Sequence, residues 1–332
     1  MRPRQPAVPV VLLLASLCLP LATAPPAPAG PHGPRSGRLP TFDVQGHRGA
    51  RGLVPENTLP AFERALQLGV DTLELDLHFT RDQQVVVFHD PTLTAGKCRR
   101  VAPDLPAAIA DLTLQDLKRG YVCDVKQQEF PRQDPAFRGE IAGGDYRVPT
   151  LQEVFDLVAA YGRTADRAYG RRVRFNAETK RVPFDPHHIG DDGEAFERTV
   201  VRLVEQNGLT DRVTVQSFDH RSALRVRQLN PAIETVVLTS TGSPIRPDLL
   251  AREARAAVWS PTFRFVDREL LERAHRGGIR VIPWTVNDEP SMRALIRMGV
   301  DGIITDVPDV LLALLKREFP HLRPPSAERA TP

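Results

Sequence analysis

The sequence predicts an α/β fold, a closed TIM (β/α)8 barrel with an insertion between its second and third βα units. Short runs rich in β-branched residues alternate with helix-like segments, and this alternation is typical of a parallel sheet. Eight such units in roughly 280 residues fit a closed barrel. The rival open, doubly wound sheet usually has a GxGxxG turn after its first strand, whereas this chain has GHRGARG. The predicted strands span residues 42–48, 72–80, 173–180, 212–218, 234–240, 257–263, 280–286 and 302–307.

The segments between these strands carry the end signals of helices. TLPAFERALQLG and TLQEVFDLVAAYG both end in Gly, which suits a helix C-terminus. Asn57 or Thr58 is a suitable N-cap for the first of them, with Pro60 in its first turn. The alternation stops over residues 91–149, a long polar stretch that we interpret as the insertion. A short helix is predicted within it, near residues 113–119.

The N-terminus has the three-part pattern of a secretory signal peptide over residues 1–24. Arg2 and Arg4 precede an apolar run, and Ala22-Thr23-Ala24 provides a cleavage site. A membrane anchor is the alternative, but the apolar run is short and interrupted by prolines, so it would span a bilayer poorly. We therefore expect a periplasmic or secreted protein without stable membrane insertion after cleavage.

The composition of the whole chain is typical of a soluble globular protein, with 41% hydrophobic and 26% charged residues. A formal net charge of +3 on 332 residues gives no basis for a nucleic-acid partner. The Pro- and Gly-rich residues 25–40 and the end of the chain, 321–332, are interpreted as a disordered leader and tail. Residues 41–320 then form a single catalytic domain.

Two cysteines, Cys98 and Cys123, follow the predicted cleavage site, and both lie in the insertion. Disulfides persist in exported proteins, so a bridge between them is plausible, with two unpaired thiols as the alternative. No CxxC or HxxxH spacing accompanies them, which argues against a zinc site.

Acidic residues in the second and third predicted strands indicate a metal site. Glu74 and Asp76 are two residues apart in TLELDLHF and therefore share one face of the strand, and Glu178 lies in NAETK on the next strand. Catalytic groups of such barrels lie at the C-terminal ends of the strands, so the three carboxylates can form a cluster. Clustered oxygen ligands suit one hard divalent cation, Ca²⁺ or Mg²⁺, which would offset their mutual repulsion.

Basic and titratable residues accompany these acids. His47 and His89 are candidate proton carriers, because histidine changes its charge near neutral pH. Arg48 can hold a phosphate with two parallel hydrogen bonds, and Lys180 shares a strand face with Glu178. The combination predicts attack on a phosphodiester, in which one histidine deprotonates the nucleophile and the other protonates the leaving alkoxide.

The stretch from GHRGARG to VVVFHD resembles the front half of the glycerophosphodiester phosphodiesterase family, exported bacterial type, through the pattern HR…PENT…ExD…TxD…HD. NAETK, QSFD, WTVN and GIITDVP follow in the family's order. The resemblance implies a TIM-barrel enzyme that hydrolyses glycerophosphodiesters to sn-glycerol 3-phosphate and an alcohol. It also implies metal ligands, catalytic histidines and phosphate contacts at Glu74, Asp76, Glu178, His47, His89, Arg48 and Lys180.

Two aromatic residues at further strand ends, Phe218 and Trp284, are candidates for an apolar wall around the glycerol moiety, with packing at the barrel rim as the alternative. Three other polar residues are expected to have structural roles. Glu56 and Asn57 are expected to fix the turn into the first helix, and Asp306 to cap the last helix.

His78 shares the face of Glu74 and Asp76 and is a further candidate ligand.

Two alternative functions stay open from the sequence. A phospholipase D-like enzyme acting on lysophospholipids or sphingolipids would need an exposed apolar rim, and no amphipathic insertion rich in Trp, Phe or Leu is present. A non-catalytic binding barrel would have lost a histidine or an acid, whereas His47, His89 and the three acids are all present. The expected partner is a small-molecule phosphodiester.

Overall fold

The computed structural model describes residues 42–181, 194–240 and 246–322. Its strands, in chain order, are β1 (Asp43–Gly46), β2 (Thr72–Phe79), β3 (Val85–Val87), β4 (Arg99–Arg100), β5 (Tyr121–Val122), β6 (Arg174–Thr179), β7 (Val213–Ser217), β8 (Glu234–Thr239), β9 (Val258–Pro261), β10 (Arg280–Val281) and β11 (Gly302–Thr305). The predictions for the leader and for most of the tail lie outside the described residues.

Eight of these strands form a parallel sheet in the order β10-β9-β8-β7-β6-β2-β1-β11, and β3 pairs antiparallel with β2. The sheet closes because the backbone N–H groups of Asp301 and Ile304 donate to the carbonyls of Val281 and Pro283, at 2.9 and 3.0 Å. The TIM-barrel prediction is confirmed. The predicted strand 280–286 pairs as a strand only over Arg280–Val281.

The helices surround the barrel, and the first of them begins and ends at residues that the sequence favours. Thr58, rather than Asn57, is the N-cap of the first helix, where its side chain accepts the N–H of Ala61. Gly69 ends that helix in the left-handed conformation, with φ 83°. The helices are α1 (Leu59–Leu68), α2 (Leu114–Gly120), α3 (Leu151–Thr164), α4 (Arg167–Gly170), α5 (Ala195–Gln206), α6 (His220–Leu229), α7 (Pro247–Glu253), α8 (Arg268–Arg276), α9 (Glu289–Met298) and α10 (Pro308–Glu318). None of the helices in these described ranges is long and apolar enough to cross a membrane.

The two faces of strand β2 carry different kinds of side chain. Leu73, Leu75 and Leu77 are fully buried in the main hydrophobic core between the sheet and the helices. The alternate residues, Glu74 and Asp76, must therefore point to the other face, into the barrel.

The interior of the barrel contains a column of hydrogen-bonded polar side chains, which we call the polar column. Gln45 Nε2 donates to Asp43 Oδ2, and Asn176 Nδ2 donates to the amide oxygens of both Gln45 and Gln216, each at 2.9 Å. Gln216 Nε2 then donates to Glu74 Oε1 at 2.8 Å. The column thus connects the N-terminal end of β1 to an acidic side chain on β2.

The segment over residues 91–149 has a small core of its own. Helix α2 confirms the short helix predicted near residues 113–119, and β4 pairs antiparallel with β5. Cys98 and Cys123 form a disulfide with a sequence separation of 25 residues. Closing a loop of this length contributes roughly 3 kcal/mol in the chain-entropy description. The buried residues of this core are Val86, Phe88, Leu93, Cys98, Leu105, Ile109, Leu112, Leu117, Tyr121, Cys123 and Val148.

Candidate active site

Three buried carboxylates meet between β2 and β6. The parallel register places Asp76 directly opposite Glu178, and Glu74 points the same way from β2. One oxygen atom from each of the three side chains lies within 4.8 Å of the others. Glu74, Asp76 and Glu178, the metal ligands predicted from the sequence, are thus brought together by the fold.

Two cations contact this carboxylate cluster. Lys180 Nζ lies 2.8 Å from Glu178 Oε1 and 3.1 Å from Asp76 Oδ1. Arg48 Nε lies 3.2 Å from Asp76 Oδ2, and the Arg48 backbone N–H donates to Glu74 Oε2 at 2.9 Å. The predicted phosphate-binding residues therefore lie against the predicted metal ligands and offset part of their charge.

The pKa values of the three carboxyl groups are shifted in different directions. Burial, together with the charges of Asp76 and Glu178, raises the pKa of Glu74 well above its usual range. Burial also raises the pKa of Glu178, and Lys180 offsets this only in part. Burial acts in the same direction on Asp76, but the charges of Lys180 and Arg48 outweigh it and hold the pKa of Asp76 well below its usual range.

The carboxylate cluster fits a hard divalent cation. Its donors are carboxylate oxygens, the ligands that Ca²⁺ and Mg²⁺ prefer. Within the described ranges, the buried Asp76 Oδ1 accepts no hydrogen bond of good geometry, although Lys180 Nζ is close. Asn57 Nδ2 donates to the other oxygen, Asp76 Oδ2, at 2.8 Å, which fixes the orientation of the carboxylate. A divalent cation would stabilise the ionised forms that burial disfavours.

His47 follows β1 and is oriented by an aspartate from the other end of the chain. His47 Nδ1 lies 2.6 Å from Asp306 Oδ1, and Asn287 Nδ2 donates to Asp306 Oδ2 at 2.6 Å. Burial raises the pKa of Asp306, but His47 and Arg51 outweigh it and keep the pKa below its usual value. The ionised carboxylate therefore accepts the Nδ1–H of His47, which leaves Nε2, 3.9 Å from Glu74 Oε2, as the nitrogen that can exchange a proton.

The interpretation of Asp306 as a helix cap was wrong. Val307 occupies the N-cap position of α10, and no side chain caps this helix. The Asp306 carboxylate instead holds His47, because barrel closure places β11 beside β1.

His89 follows β3 and is oriented in the same way as His47. His89 Nδ1 lies 2.6 Å from Asp90 Oδ1, and about a third of the His89 side chain is exposed. Burial lowers the pKa of His89, and the charge of Asp76 opposes this effect. Both histidines thus use Nδ1 to contact an aspartate.

His78 has a different position from the one considered in the sequence. Its Nε2 lies 3.0 Å from the backbone oxygen of His89. Of the described residues, those whose ligand atoms converge are Glu74, Asp76 and Glu178, and His78 is not among them.

Comparison with known proteins agrees with this geometry. A profile described as "Glycerophosphoryl diester phosphodiesterase family" matches residues 47–310. The chain belongs to this family. The match makes it an enzyme of the phosphodiesterase class, and it includes every residue of the site from His47 to Asp306.

Individual members of the family are similar along most of the chain. A glycerophosphodiester phosphodiesterase of Caldanaerobacter subterraneus is 30% identical over 275 residues, which cover 82% of this chain and 98% of the relative. A human lysophospholipase D is 25% identical and covers 83% of this chain and 85% of the relative.

Solved structures of the family share the fold. A putative glycerophosphoryl diester phosphodiesterase from Silicibacter pomeroyi is 28% identical, with a TM-score of 0.73, and the alignment covers 84% of this chain and 95% of that one. A phosphodiesterase from Oleispira antarctica, solved in complex with the product sn-glycerol-3-phosphate, is 23% identical, with a TM-score of 0.65 and coverage of 82% and 96%.

The two aromatic residues predicted near this family's site pack against each other. The rings of Phe218 and Trp284 meet edge to face with centroids 5.6 Å apart. Trp284 Nε1 donates to the backbone oxygen of Ser260 at 3.0 Å, whereas 39% of Phe218 is exposed. Packing at the rim is therefore present, and a contact with glycerol stays a prediction.

Several polar residues of this family site were missed in the sequence. Glu56 accepts a hydrogen bond from Arg48 Nη1 at 2.9 Å, and Asn57 holds Asp76, so both do more than fix a turn. Arg48 and Asn57 have positive φ values, 52° and 54°, and the Asn57 N–H donates to the Arg48 carbonyl. This backbone contact brings the two ends of the loop together, and both side chains contact Asp76. The alternation of VTVQS would have placed Gln216 on the barrel interior, whereas its contact with Glu74 comes only from the structure.

Proposed function

We propose that the protein is a metal-dependent glycerophosphodiesterase, which hydrolyses glycerophosphodiesters to sn-glycerol 3-phosphate and an alcohol. The observation that supports this most directly is the convergence of three buried carboxylates, two cations and an aspartate-bound histidine at the barrel mouth. The name of the relative that is 30% identical supports the same activity.

The carboxylate cluster would hold one divalent cation, Ca²⁺ or Mg²⁺, which supplies Lewis acidity at the phosphoryl oxygens when bound. The surrounding side chains fix the ligands: Gln216 and the Arg48 backbone orient Glu74, and Asn57 orients Asp76. The guanidinium of Arg48 and the ammonium of Lys180 stabilise the negative charge of the phosphate during the reaction.

The two histidines transfer protons. One accepts the proton of the nucleophile through Nε2, and the other donates a proton to the leaving oxygen as its bond to phosphorus breaks. The electron pair of the P–O bond stays with that oxygen, which leaves as the alcohol. The nucleophile is either water or the glycerol hydroxyl next to the phosphate, and in the second case water then opens a cyclic phosphate.

The decisive experiment measures release of sn-glycerol 3-phosphate from glycerophosphocholine, with and without excess EDTA. We expect activity that EDTA suppresses by at least about 10²-fold, since Lewis acidity contributes several kcal/mol. Adding back Ca²⁺ or Mg²⁺ should restore it. Full activity in excess EDTA would contradict the metal assignment, and no product under any condition would contradict the function.

A phospholipase D-like activity on lysophospholipids is a second candidate. The human relative carries this activity in its name, and the exposed ring of Phe218 lies beside Trp284. Replacing glycerophosphocholine by lysophosphatidylcholine in the same assay separates the two. A kcat/KM that is higher for the lysophospholipid would favour this second candidate.

We infer that the protein is exported, as the bacterial type named above, to the periplasm or the medium. Residues 1–24 have a signal-peptide pattern, and the disulfide between Cys98 and Cys123 requires an oxidising compartment to persist. Mass spectrometry of the periplasmic fraction should find a chain that begins after Ala24 and has no titratable thiol. A cytoplasmic chain that retains residues 1–24, or two reactive thiols in the native protein, would contradict this inference.

A further inference from the structure

Lys97, a residue of the 91–149 segment, lies between two carboxylates of the site. Its Nζ is 2.7 Å from Asp90 Oδ2 and 3.0 Å from Glu56 Oε1. Asp90 uses its other oxygen to contact His89 Nδ1, and Glu56 uses Oε1 to accept the hydrogen bond of Arg48. The single ammonium group of Lys97 therefore connects the partner of a proposed acid–base residue to the partner of a proposed phosphate-binding residue.

These groups are shielded from solvent. The side chains of Lys97 and Glu56 are 17% and 3% exposed, and that of Asp90 is 27% exposed. Burial raises the pKa of Asp90, but the hydrogen bonds of His89 and Lys97 outweigh it, so the carboxylate is ionised at neutral pH. An ion pair in this environment has a fixed geometry and is screened less than a surface pair.

The loss of Lys97 would affect the two carboxylates unequally. Glu56 would keep Arg48 and Arg51 as cationic partners. Asp90 has ion pairs in the described ranges with His89 and Lys97, so it would keep only the histidine. The Oδ2 atom of Asp90 would then have lost its cationic partner, and the carboxylate would orient His89 less rigidly through Oδ1 alone.

The backbone of Lys97 lies next to a disulfide and donates its N–H to the carbonyl of Thr94 at 3.0 Å. Cys98 bonds to Cys123, and the Val125 N–H donates to the Lys97 carbonyl at 3.4 Å. Both cysteines belong to the small core that contains Phe88, the residue directly before His89. The disulfide thus crosslinks the backbone on both sides of the Lys97 contact with Val125.

We propose that Lys97 is a positioning residue for the phosphodiesterase reaction, which holds Asp90 so that Asp90 orients His89, and that the Cys98–Cys123 disulfide keeps Lys97 in place. This inference rests on the proposed function. It assigns to the 91–149 segment a part in catalysis, although the segment supplies no group that reacts.

The test compares kcat and KM of Lys97→Met and Lys97→Arg with the wild type, on glycerophosphocholine with the cation present. We expect Lys97→Met to lower kcat by roughly 10- to 100-fold, as for outer side chains that orient the ligands of a metal, and to change KM much less. Lys97→Arg keeps a cation and should recover most of kcat. Lys126→Met, an exposed lysine of the same segment, is the matched control and should behave as wild type.

Two further arms show whether Lys97 acts through the proposed contacts. In an Asp90→Asn background, Lys97→Met should add little further loss, because the two residues act as one unit. Reduction of the disulfide with dithiothreitol should lower the kcat of the wild type and leave that of Lys97→Met nearly unchanged. The wild-type half of the reduction arm needs no substitution, so it tests the role of the disulfide even if Lys97→Met folds poorly.

A wild-type kcat for Lys97→Met, an equal loss in Lys97→Arg, or fully multiplicative losses with Asp90→Asn would overturn the positioning role. A reduced wild type with full kcat would overturn the role of the disulfide. Absence of sn-glycerol 3-phosphate release by the untreated wild type would instead reject the proposed function, so the two failures are distinguishable.

Discussion

His47→Ala and His89→Ala are each expected to lower kcat on glycerophosphocholine by about 10³-fold or more. Each substitution removes a proposed proton carrier, and general acid–base catalysis contributes about 10²- to 10⁴-fold. The proposed phosphate contacts of Arg48 and Lys180 are unaffected by these substitutions, so KM should change much less than kcat. Steady-state kinetics at saturating Ca²⁺ or Mg²⁺ measures both constants.

The control for this experiment is His321→Ala, which alters an exposed histidine in the 3₁₀ turn Pro320–Leu322. It should leave both constants at their wild-type values. Asp306→Asn should give a kcat between those of His47→Ala and the wild type. It keeps the shape of the side chain but removes the charge that holds the Nδ1–H of His47. A wild-type rate for His89→Ala would exclude an acid–base role for that residue.

Asp76→Asn is expected to remove most of the affinity for the divalent cation and to lower kcat/KM by about 10³-fold. Asp76 contacts both Lys180 and Arg48 and lies opposite Glu178, so its charge is central to the carboxylate cluster. Loss of Lewis acidity costs several kcal/mol, and each 1.36 kcal/mol is about tenfold in rate. Calorimetric titration with Ca²⁺ or Mg²⁺ measures the affinity without any substrate.

The matched control is Asp211→Asn, which changes an exposed aspartate before β7 and should titrate with the cation as the wild type does. Glu74→Gln gives an independent check, because it removes a second proposed ligand while Gln216 and the Arg48 backbone still surround the side chain. Wild-type cation affinity in both variants would show that the cation, if any, binds elsewhere.

Much of the fold could be predicted because the barrel follows from local patterns. The alternation in TLELDLHF placed the leucines in the core and the two acids inside the barrel, and the structure confirms this arrangement. Meeting of Glu178 with these acids followed from the general rule that parallel strands end at the same edge. The register of β2 against β6, which puts Asp76 opposite Glu178, comes only from the structure.

Two of the contacts near the histidines could not be predicted from local sequence patterns. Asp306 precedes Val-Pro and a helix, and a local pattern cannot distinguish a helix cap from a partner of His47, which is 259 residues away. The position of Lys97 depends on how an aperiodic segment folds onto the barrel. Both contacts are created by tertiary packing, so no residue spacing along the chain predicts them.

The polar column inside the barrel has a fixed direction. An amide has one donating and one accepting end, so each link determines the orientation of the next. Because Asn176 Nδ2 donates to the oxygen of Gln216, the nitrogen of Gln216 must face Glu74. The direction from which Glu74 Oε1 receives its hydrogen bond is therefore determined by amide side chains on three strands, so replacing one of these amides would alter the orientation of the others.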